Sequence, residues 1–254
     1  MPGAISLAAA GALRAGAGLV TVATAASCHS IVASLNPCAM AVSLPEDGEG
    51  KISRRAAAAI ESIARRATCI AIGPGLGQSL ELSQWIRDLY LNLPIPLVLD
   101  ADAINAMAGQ QMDFNKVSHV RIFTPHVGEF RRLTSSTETD REAMELEARE
   151  FAAITGAIIL LKGNRSFATD GQRHYHNTTG NAAMATGGCG DVLTGMIAAL
   201  LCQKMPPLDA VCYAARVHGL AGDIAAKEIG PVGVIATDLV SRIPAALTLA
   251  SKTD

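Results

Sequence analysis

The residues best suited to do chemistry lie in the run Asn181-Ala182-Ala183-Met184-Ala185-Thr186-Gly187-Gly188-Cys189-Gly190-Asp191. Gly187, Gly188 and Gly190 place three glycines in four positions, so the backbone can turn sharply and approach a ligand closely. An apolar stretch over residues 192–203 follows and reads as a helix. Amides at a helix start carry partial positive charge, which suits phosphate or another anion. Asp191 sits where that helix begins. A carboxylate there could accept the proton of a hydroxyl as it attacks phosphorus. Asp is also a favoured N-cap residue, so the same position suits a purely structural cap.

The elements that must position this loop can be read from the apolar pattern. Residues 5–15 read as a helix ended by Gly16-Ala17-Gly18, with a strand at 19–22. Ser53 is expected to cap a helix reaching Arg66. Strands are expected at 69–72, 97–99, 121–123 and 157–161, and helices at 79–91 and 139–155. A hairpin of 166–168 and 173–175 turns across Asp170-Gly171. Three helices start near Asp191, Pro207 and Thr237. Strands separated by helices imply βαβ units and a parallel sheet. Ligands of such sheets bind at the carboxyl ends of the strands. Gly75, Asp100, Asn105, His126, Lys162 and Asn181 are all expected on that edge.

The chain has 254 residues and a net charge of -2, with 50% hydrophobic and 4% aromatic residues. That length supports a buried core, and the Ala, Gly, Leu, Ile and Val content suits strands covered on both faces. No basic block marks a nucleic-acid partner. The six cysteines form no C-x-x-C pair and fit a reducing compartment, so the expected location is cytoplasmic. Residues 15–45 lack Lys, Arg, Asp and Glu, but Gly16, Gly18, His29, Asn36 and Pro37 interrupt them, which argues against a membrane span. No basic segment precedes an apolar core, so no signal peptide is read. Asp100 and Asp102, one residue apart, are too weak a pattern for a metal pair. His174 and His176 flank the hairpin and are assigned nothing. His218, in an Ala-rich stretch, reads as packed or capping.

The run Gly187-Gly188-Cys189-Gly190-Asp191 resembles the anion-hole motif of ribokinase-like enzymes. Five further blocks occur in the order seen in NAD(P)H-hydrate dehydratases. These are Gly73-Pro74-Gly75-Leu76-Gly77, Leu99-Asp100-Ala101-Asp102-Ala103, Thr124-Pro125-His126-Val127-Gly128-Glu129-Phe130, Leu161-Lys162-Gly163-Asn164 and Asn177-Thr178-Thr179-Gly180-Asn181. One such block is a turn or a loop; five in order, across nearly the whole chain, carry the resemblance.

The resemblance implies an α/β, ribokinase-like fold with a mostly parallel sheet and helices on both faces. In the family a Gly-rich segment and a first β-strand come before the Pro-Gly-Ala block, which here is Pro2-Gly3-Ala4. The expectation is therefore a single domain, residues 1–254, lacking that strand. The implied reaction is nucleotide-dependent dehydration of hydrated NADH or NADPH, with ADP or ATP as phosphoryl donor and Mg2+. Asp191 would be the base, with the Gly188 and Gly190 amides holding the transferring phosphate. Ala4, Gly75, His126, Asn181 and Asp191 would contact the hydrated cofactor. Lys162, Gly163, Asn164, Arg165, Ser166 and Gly190 would hold the adenine nucleotide, with Gly75 and His126 on the other side of Asp191. No protein metal ligand is assigned, and Cys189 falls at a variable position. A homo-oligomer, a tetramer by resemblance, is expected. Two alternatives use the same residues: a kinase for a small alcohol such as a vitamin precursor, and a non-catalytic nucleotide-binding protein. ADP against ATP, and NADH hydrate against NADPH hydrate, stay open.

Overall fold

The computed structural model describes residues 1–108 and 117–252. Four apolar runs form the parallel strands β3 (Ile70–Ile72), β4 (Leu97–Leu99), β5 (Arg121–Phe123) and β6 (Ile158–Leu161). Their registers pair Ile70 with Leu97, Leu97 with Arg121 and Ile122 with Ile158. The hairpin strands β7 (Phe167–Thr169) and β8 (His174–His176) extend the sheet antiparallel, one residue beyond the expected ranges. Asp170 makes the turn by accepting from the Gln172 and Arg173 amides.

Side chains alternate across this six-stranded sheet. Val98, Ile122, Leu160 and Ala168 face a layer of α1 (Pro2–Arg14), α8 (Cys189–Cys202), α9 (Pro207–Ile229) and α10 (Ala236–Ala250). Leu97, Leu99, Phe123, Ile159 and Leu161 face α4 (Leu80–Asn92), α5 (Ala101–Met107), α6 (Val127–Thr134) and α7 (Arg141–Thr155). Period-two alternation thus gives β4 to β7 two buried faces, as their near-continuous apolar runs require.

Several elements differ from the sequence expectation. The strand expected at 19–22 is β1 (Thr21–Ala25), because its register is set by β2 (Met40–Leu44) through Thr21 opposite Met40. Neither β2 nor α2 (His29–Leu35) is expected from the sequence, since the charge-free stretch offers no polar contrast to mark a period. Ser53 makes no cap bond. The chain first makes one 3-10 turn, Arg54–Ala56, before α3 (Ala57–Ala64), and the Arg54 amide donates instead to Glu81 of α4 at 2.9 Å. Ser79 does cap α4, through the Leu82 amide at 3.1 Å, and Asp140 caps α7.

β1 and β2 form a separate parallel pair. A cavity of about 760 Å³ lies between β1 and β3, lined among others by Val22, Thr24, Val42, Ile70, Ile72 and Trp85. Among the described residues no helix is long and apolar enough to cross a membrane.

The α1–α8 contact fixes where α8 starts. A Cβ on Gly195 would collide with the Ala8 carbonyl, and one on Gly11 with the Val192 carbonyl. Gly195→Ala must push the two backbones apart. We expect its thermal midpoint to fall by roughly 5 °C, read by calorimetry. An unchanged midpoint would show that the helices do not meet backbone to backbone.

Candidate active site

The carboxyl ends of β3 to β6 carry the expected residues side by side. Gly75 lies just beyond β3 with φ +65°, a left-handed conformation that suits glycine. A Cβ there would lie 3.0 Å from the Ala4 Cβ, so the structure brings these two predicted residues together. The Met1 ammonium donates to the Gly75 carbonyl, which anchors the start of α1 to this edge. Asp100 ends β4, His126 follows β5 and Lys162 follows β6.

His126 turns out to be a helix cap as well as an edge residue. Its Nδ1 accepts from the Gly128 and Glu129 amides at 2.9 and 3.3 Å. Its own amide donates to Glu129 Oε2 at 2.9 Å, which closes a capping box on α6. Part of the Thr124–Phe130 pattern is therefore structural. Because Nδ1 accepts, Nε2 carries the proton, 3.3 Å from Glu129 Oε1. The imidazole stays exposed and open to a ligand.

Lys162 is the backbone neighbour of His126: its amide donates to the Pro125 carbonyl at 2.7 Å. His126 and the start of the Lys162–Ser166 segment thus lie side by side on neighbouring strands, closer than the expected separation by Asp191 implies. The Gly163–Ser166 turn is held by Arg141 of α7, whose guanidinium donates to the carbonyls of Leu161 at 3.2 Å and Arg165 at 3.5 Å. Ser166 donates to the Gly163 carbonyl at 3.2 Å. Asn164 is exposed, and Arg165 takes a left-handed φ of 55°.

The glycine loop meets this edge from above. Gly188, at φ +93°, is the N-cap of α8, and a Cβ there would press on Leu7 at 2.5 Å and Ala236 at 3.0 Å. Asp191 is therefore not the N-cap: it is the third residue of the helix, and no side chain caps α8. The capping alternative falls, since φ > 0 at Gly188 fixes the helix start three residues earlier. No hydrogen bond or ion pair engages the Asp191 carboxylate among the described residues. His218 of α9 is buried, as expected of a packed residue, and donates from Nε2 to the Cys189 carbonyl at 2.9 Å. Burial holds it neutral, with its pKa pushed down to about 4. Burial also pushes the Cys189 thiol up to about 11, so it is no nucleophile.

Asn181 is engaged elsewhere. Its Oδ1 accepts from the Ala183 amide and its Nδ2 donates to Asp223 of α9 at 2.8 Å, so it pins the approach to the loop. Its predicted contact with substrate needs that amide to exchange partners.

The partners of Asp100 escape the sequence reading, which expects it on this edge and assigns it no role. Asp100 is almost wholly buried; it accepts from Lys162 Nζ at 2.7 Å and from Thr194 Oγ1 at 2.6 Å. Thr194, one turn beyond Asp191 on α8, is hidden in an apolar helix where only depth reveals it. Lys162 Nζ reaches to 3.2 Å from where a Gly190 Cβ would be, so a side chain at that position would crowd the ammonium beside the loop. Burial, and then the Asp100 charge, raise the Asp191 pKa to about 6 against the opposing pull of Lys162, with Glu129 and Asp102 adding to the rise.

Residues 1–245 match the NAD(P)H-hydrate dehydratase family. The chain belongs to that family. It is 40% identical over 247 residues to the bifunctional NAD(P)H-hydrate repair enzyme Nnr of Moorella thermoacetica, covering 96% of this chain and 46% of that protein. It thus spans about half the length of the curated relatives it matches. The structure of the ADP/ATP-dependent NAD(P)H-hydrate dehydratase of Bacillus subtilis, co-crystallised with ATP/Mg2+ and soaked with CoA, superposes with a TM-score of 0.81 at 31% identity, covering 98% of this chain and 87% of that one. A ribokinase-like superfamily protein of Enterococcus faecalis superposes with a TM-score of 0.81 at 29% identity, covering 97% and 82%. The fold is ribokinase-like, as the sequence resemblance implied.

The raised pKa has a consequence for stability. Asp191 titrates near 3.8 when unperturbed and about 6 in the fold, so folding favours its protonated form. That contribution is present below pH 4 and lost as pH rises through 6, leaving an ionised group that the fold disfavours. Asp191→Asn removes the penalty. Partial exposure screens it to about 1 kcal/mol, so the variant should melt about 2–4 °C higher at pH 8. The gap should close towards pH 4. A variant less stable than the parent at pH 8 would contradict the assignment.

Proposed function

We propose that this chain dehydrates hydrated NADH or NADPH at the expense of ADP or ATP. The observation that carries the reading is the free Asp191 carboxylate at the start of α8, beside a glycine loop open to Lys162. The relatives' names supply the substrate class: NAD(P)H hydrate for the repair enzymes, with ATP/Mg2+ in the Bacillus subtilis crystals. They favour the hydrate over a simple alcohol as acceptor. The exposed side chains and capping glycines of an intact site argue against a non-catalytic remnant.

The hydrated ring carries a hydroxyl where a double bond belongs, and hydroxide leaves poorly near neutral pH. Asp191 takes the hydroxyl proton as the oxygen attacks the terminal phosphorus of the nucleotide. One O–P bond forms and the bond to the nucleotide breaks, leaving AMP or ADP. The ring-nitrogen lone pair then expels phosphate, and loss of a proton from the neighbouring ring carbon restores the double bond. The Gly188 and Gly190 amides and Lys162 face the charge that builds on the transferring group. Ala4, Gly75 and His126 would line the hydrate side, with Asn181 at its margin. The Lys162–Ser166 turn would hold the nucleotide.

The residues present fit a nucleotide-borne metal. Among the described residues no group of three His, Cys, Asp or Glu could hold a cation alone, whereas Mg2+ is commonly held largely by substrate phosphates and water. When bound, it would spread phosphate charge.

We also read residues 1–254 as one domain. Helices packed on both faces of the six-stranded sheet, α1 and α8 to α10 on one and α4 to α7 on the other, support that reading. A homo-oligomer, a tetramer by family likeness, and a cytoplasmic site of action belong to the same proposal. Six free cysteines suit the latter.

The test is recovery of the near-ultraviolet absorbance of reduced cofactor from its hydrate, with ADP and ATP in parallel. Turnover is expected, with kcat/KM falling as pH drops through about 6, where Asp191 becomes protonated. Asp191→Asn should lose at least about 100-fold in kcat and keep its nucleotide affinity. An active Asp191→Asn enzyme would sink the base assignment. Thermal protection by a vitamin alcohol and none by the hydrate would replace the substrate.

A further inference from the structure

Asp100 stands at the N-cap position of α5, yet its side chain makes no cap bond. Both oxygens turn away from that helix. Oδ1 accepts from Lys162 Nζ at 2.7 Å, and Oδ2 from Thr194 Oγ1 at 2.6 Å. The backbone around it is held hard. The Asp100 amide donates to the Ile72 carbonyl at 3.0 Å, and the Asp100 carbonyl fills the space a Gly73 side chain would need. Ala101, directly after it, is forced to a φ of 46°, a left-handed conformation that costs a residue with a Cβ about 1–3 kcal/mol. A buried carboxylate, turned away from its own helix and tied to the end of β6 and to α8, is not explained by the fold alone.

We propose that Asp100 is the positioning residue of this site: it pins Lys162 beside the glycine loop and keeps a fixed negative charge next to Asp191. Its catalytic consequence rests on the phosphoryl-transfer reading above; its electrostatic one does not. The charged groups facing Asp191 are Asp100 and Asp102 from the β4–α5 edge, Glu129 from α6 and Lys162 from β6. Asp100 comes next after burial among the causes that raise the proton affinity of Asp191. Through Thr194, which also donates to the Gly190 carbonyl at 3.1 Å, Asp100 grips the turn of α8 on which Asp191 rides. A held ammonium loses little freedom when a phosphate arrives, and a base beside a second carboxylate binds its proton more strongly.

The variant is Asp100→Asn, with Asp100→Ser as the smaller neutral replacement should the first fail to fold. The direct readout is the titration of Asp191 by NMR of isotope-labelled aspartate carboxylates, its resonance identified by loss in Asp191→Asn. The parent midpoint should be about 6. In the Asp100 variant it should fall by roughly one unit. Thr194→Val serves as the structural control: it loses the hydroxyl but keeps the charge, so it should lower stability with a much smaller change in that midpoint. An Asp191 midpoint unmoved by loss of the Asp100 charge overturns the proposal, whatever the thermal stability does. In the hydrate assay, kcat should fall about tenfold, the nucleotide KM should rise as Lys162 loses its anchor, and the acid limb should move to lower pH. A shifted midpoint without hydrate turnover in the parent would retire the proposed reaction and leave the role of Asp100 standing.

Discussion

Gly11 meets the carbonyl of Val192 and Gly195 meets that of Ala8, so α1 and α8 touch backbone to backbone. Gly188 lies against the side chains of Leu7 on α1 and Ala236 on α10. Three glycines on two helices therefore set the height and tilt at which α8 begins over the sheet. Everything chemical follows from that placement. The start of α8 brings Asp191 and the Gly190 amide down to the carboxyl ends of β4 and β6, where Asp100 and Lys162 wait. A bulkier residue at any of these contacts would lift the helix, and with it the loop, off the strand edge.

The edge is rich in carboxylates, and each but one is answered locally. Asp102 accepts from the Gly77 amide at 2.8 Å, and so ties the Gly73–Gly77 turn to α5. Glu129 accepts from the His126 amide in the capping box. Asp100 is matched by Lys162 and Thr194. Asp191 alone has no such partner among the described residues. A carboxylate left unpaired in a crowded, partly buried site is costly for folding, and its persistence points to work done on a ligand. The same crowding shows why the structural and chemical readings of His126 coexist. Its capping box places Glu129, and Glu129 in turn adds to the field at Asp191.

Much of this was legible in the sequence because it depends on local order. The parallel strands appear as short apolar runs, and the residues that follow them land on one edge as the topology demands. The glycine cluster before an apolar helix marked the loop. What escaped depends on distant partners. Arg121 reads as a charged residue at a strand start, yet it is buried; its guanidinium takes the carbonyls of Tyr90 and Leu93 at 2.7 Å at the end of α4. Ser53 has the type of a cap but lost the role to Glu81, which lies 27 positions from Arg54. Asp100 and Thr194 are 94 positions apart and pair only after the sheet and α8 have formed. Asp191 suited a cap as well as a base by type and position, and only the backbone of Gly188 puts the helix start before it. Spacing along the chain carries no information on these pairings.

On the proposed reading, the proton affinity of Asp191 shows why base and phosphate site have to be built together. A carboxylate at its ordinary pKa is a weak base, and one raised to about 6 is stronger but still mostly ionised at neutral pH. Burial and Asp100 supply the rise, and Lys162 restrains it. A phosphate entering beside Asp191 brings more negative charge, which alone would raise the proton affinity again and leave the base protonated. Lys162 lies next to Gly190, where it offsets that charge, and the amides at the start of α8 act in the same direction. Moving the ammonium away from the loop would therefore weaken phosphate binding and disable the base in one step.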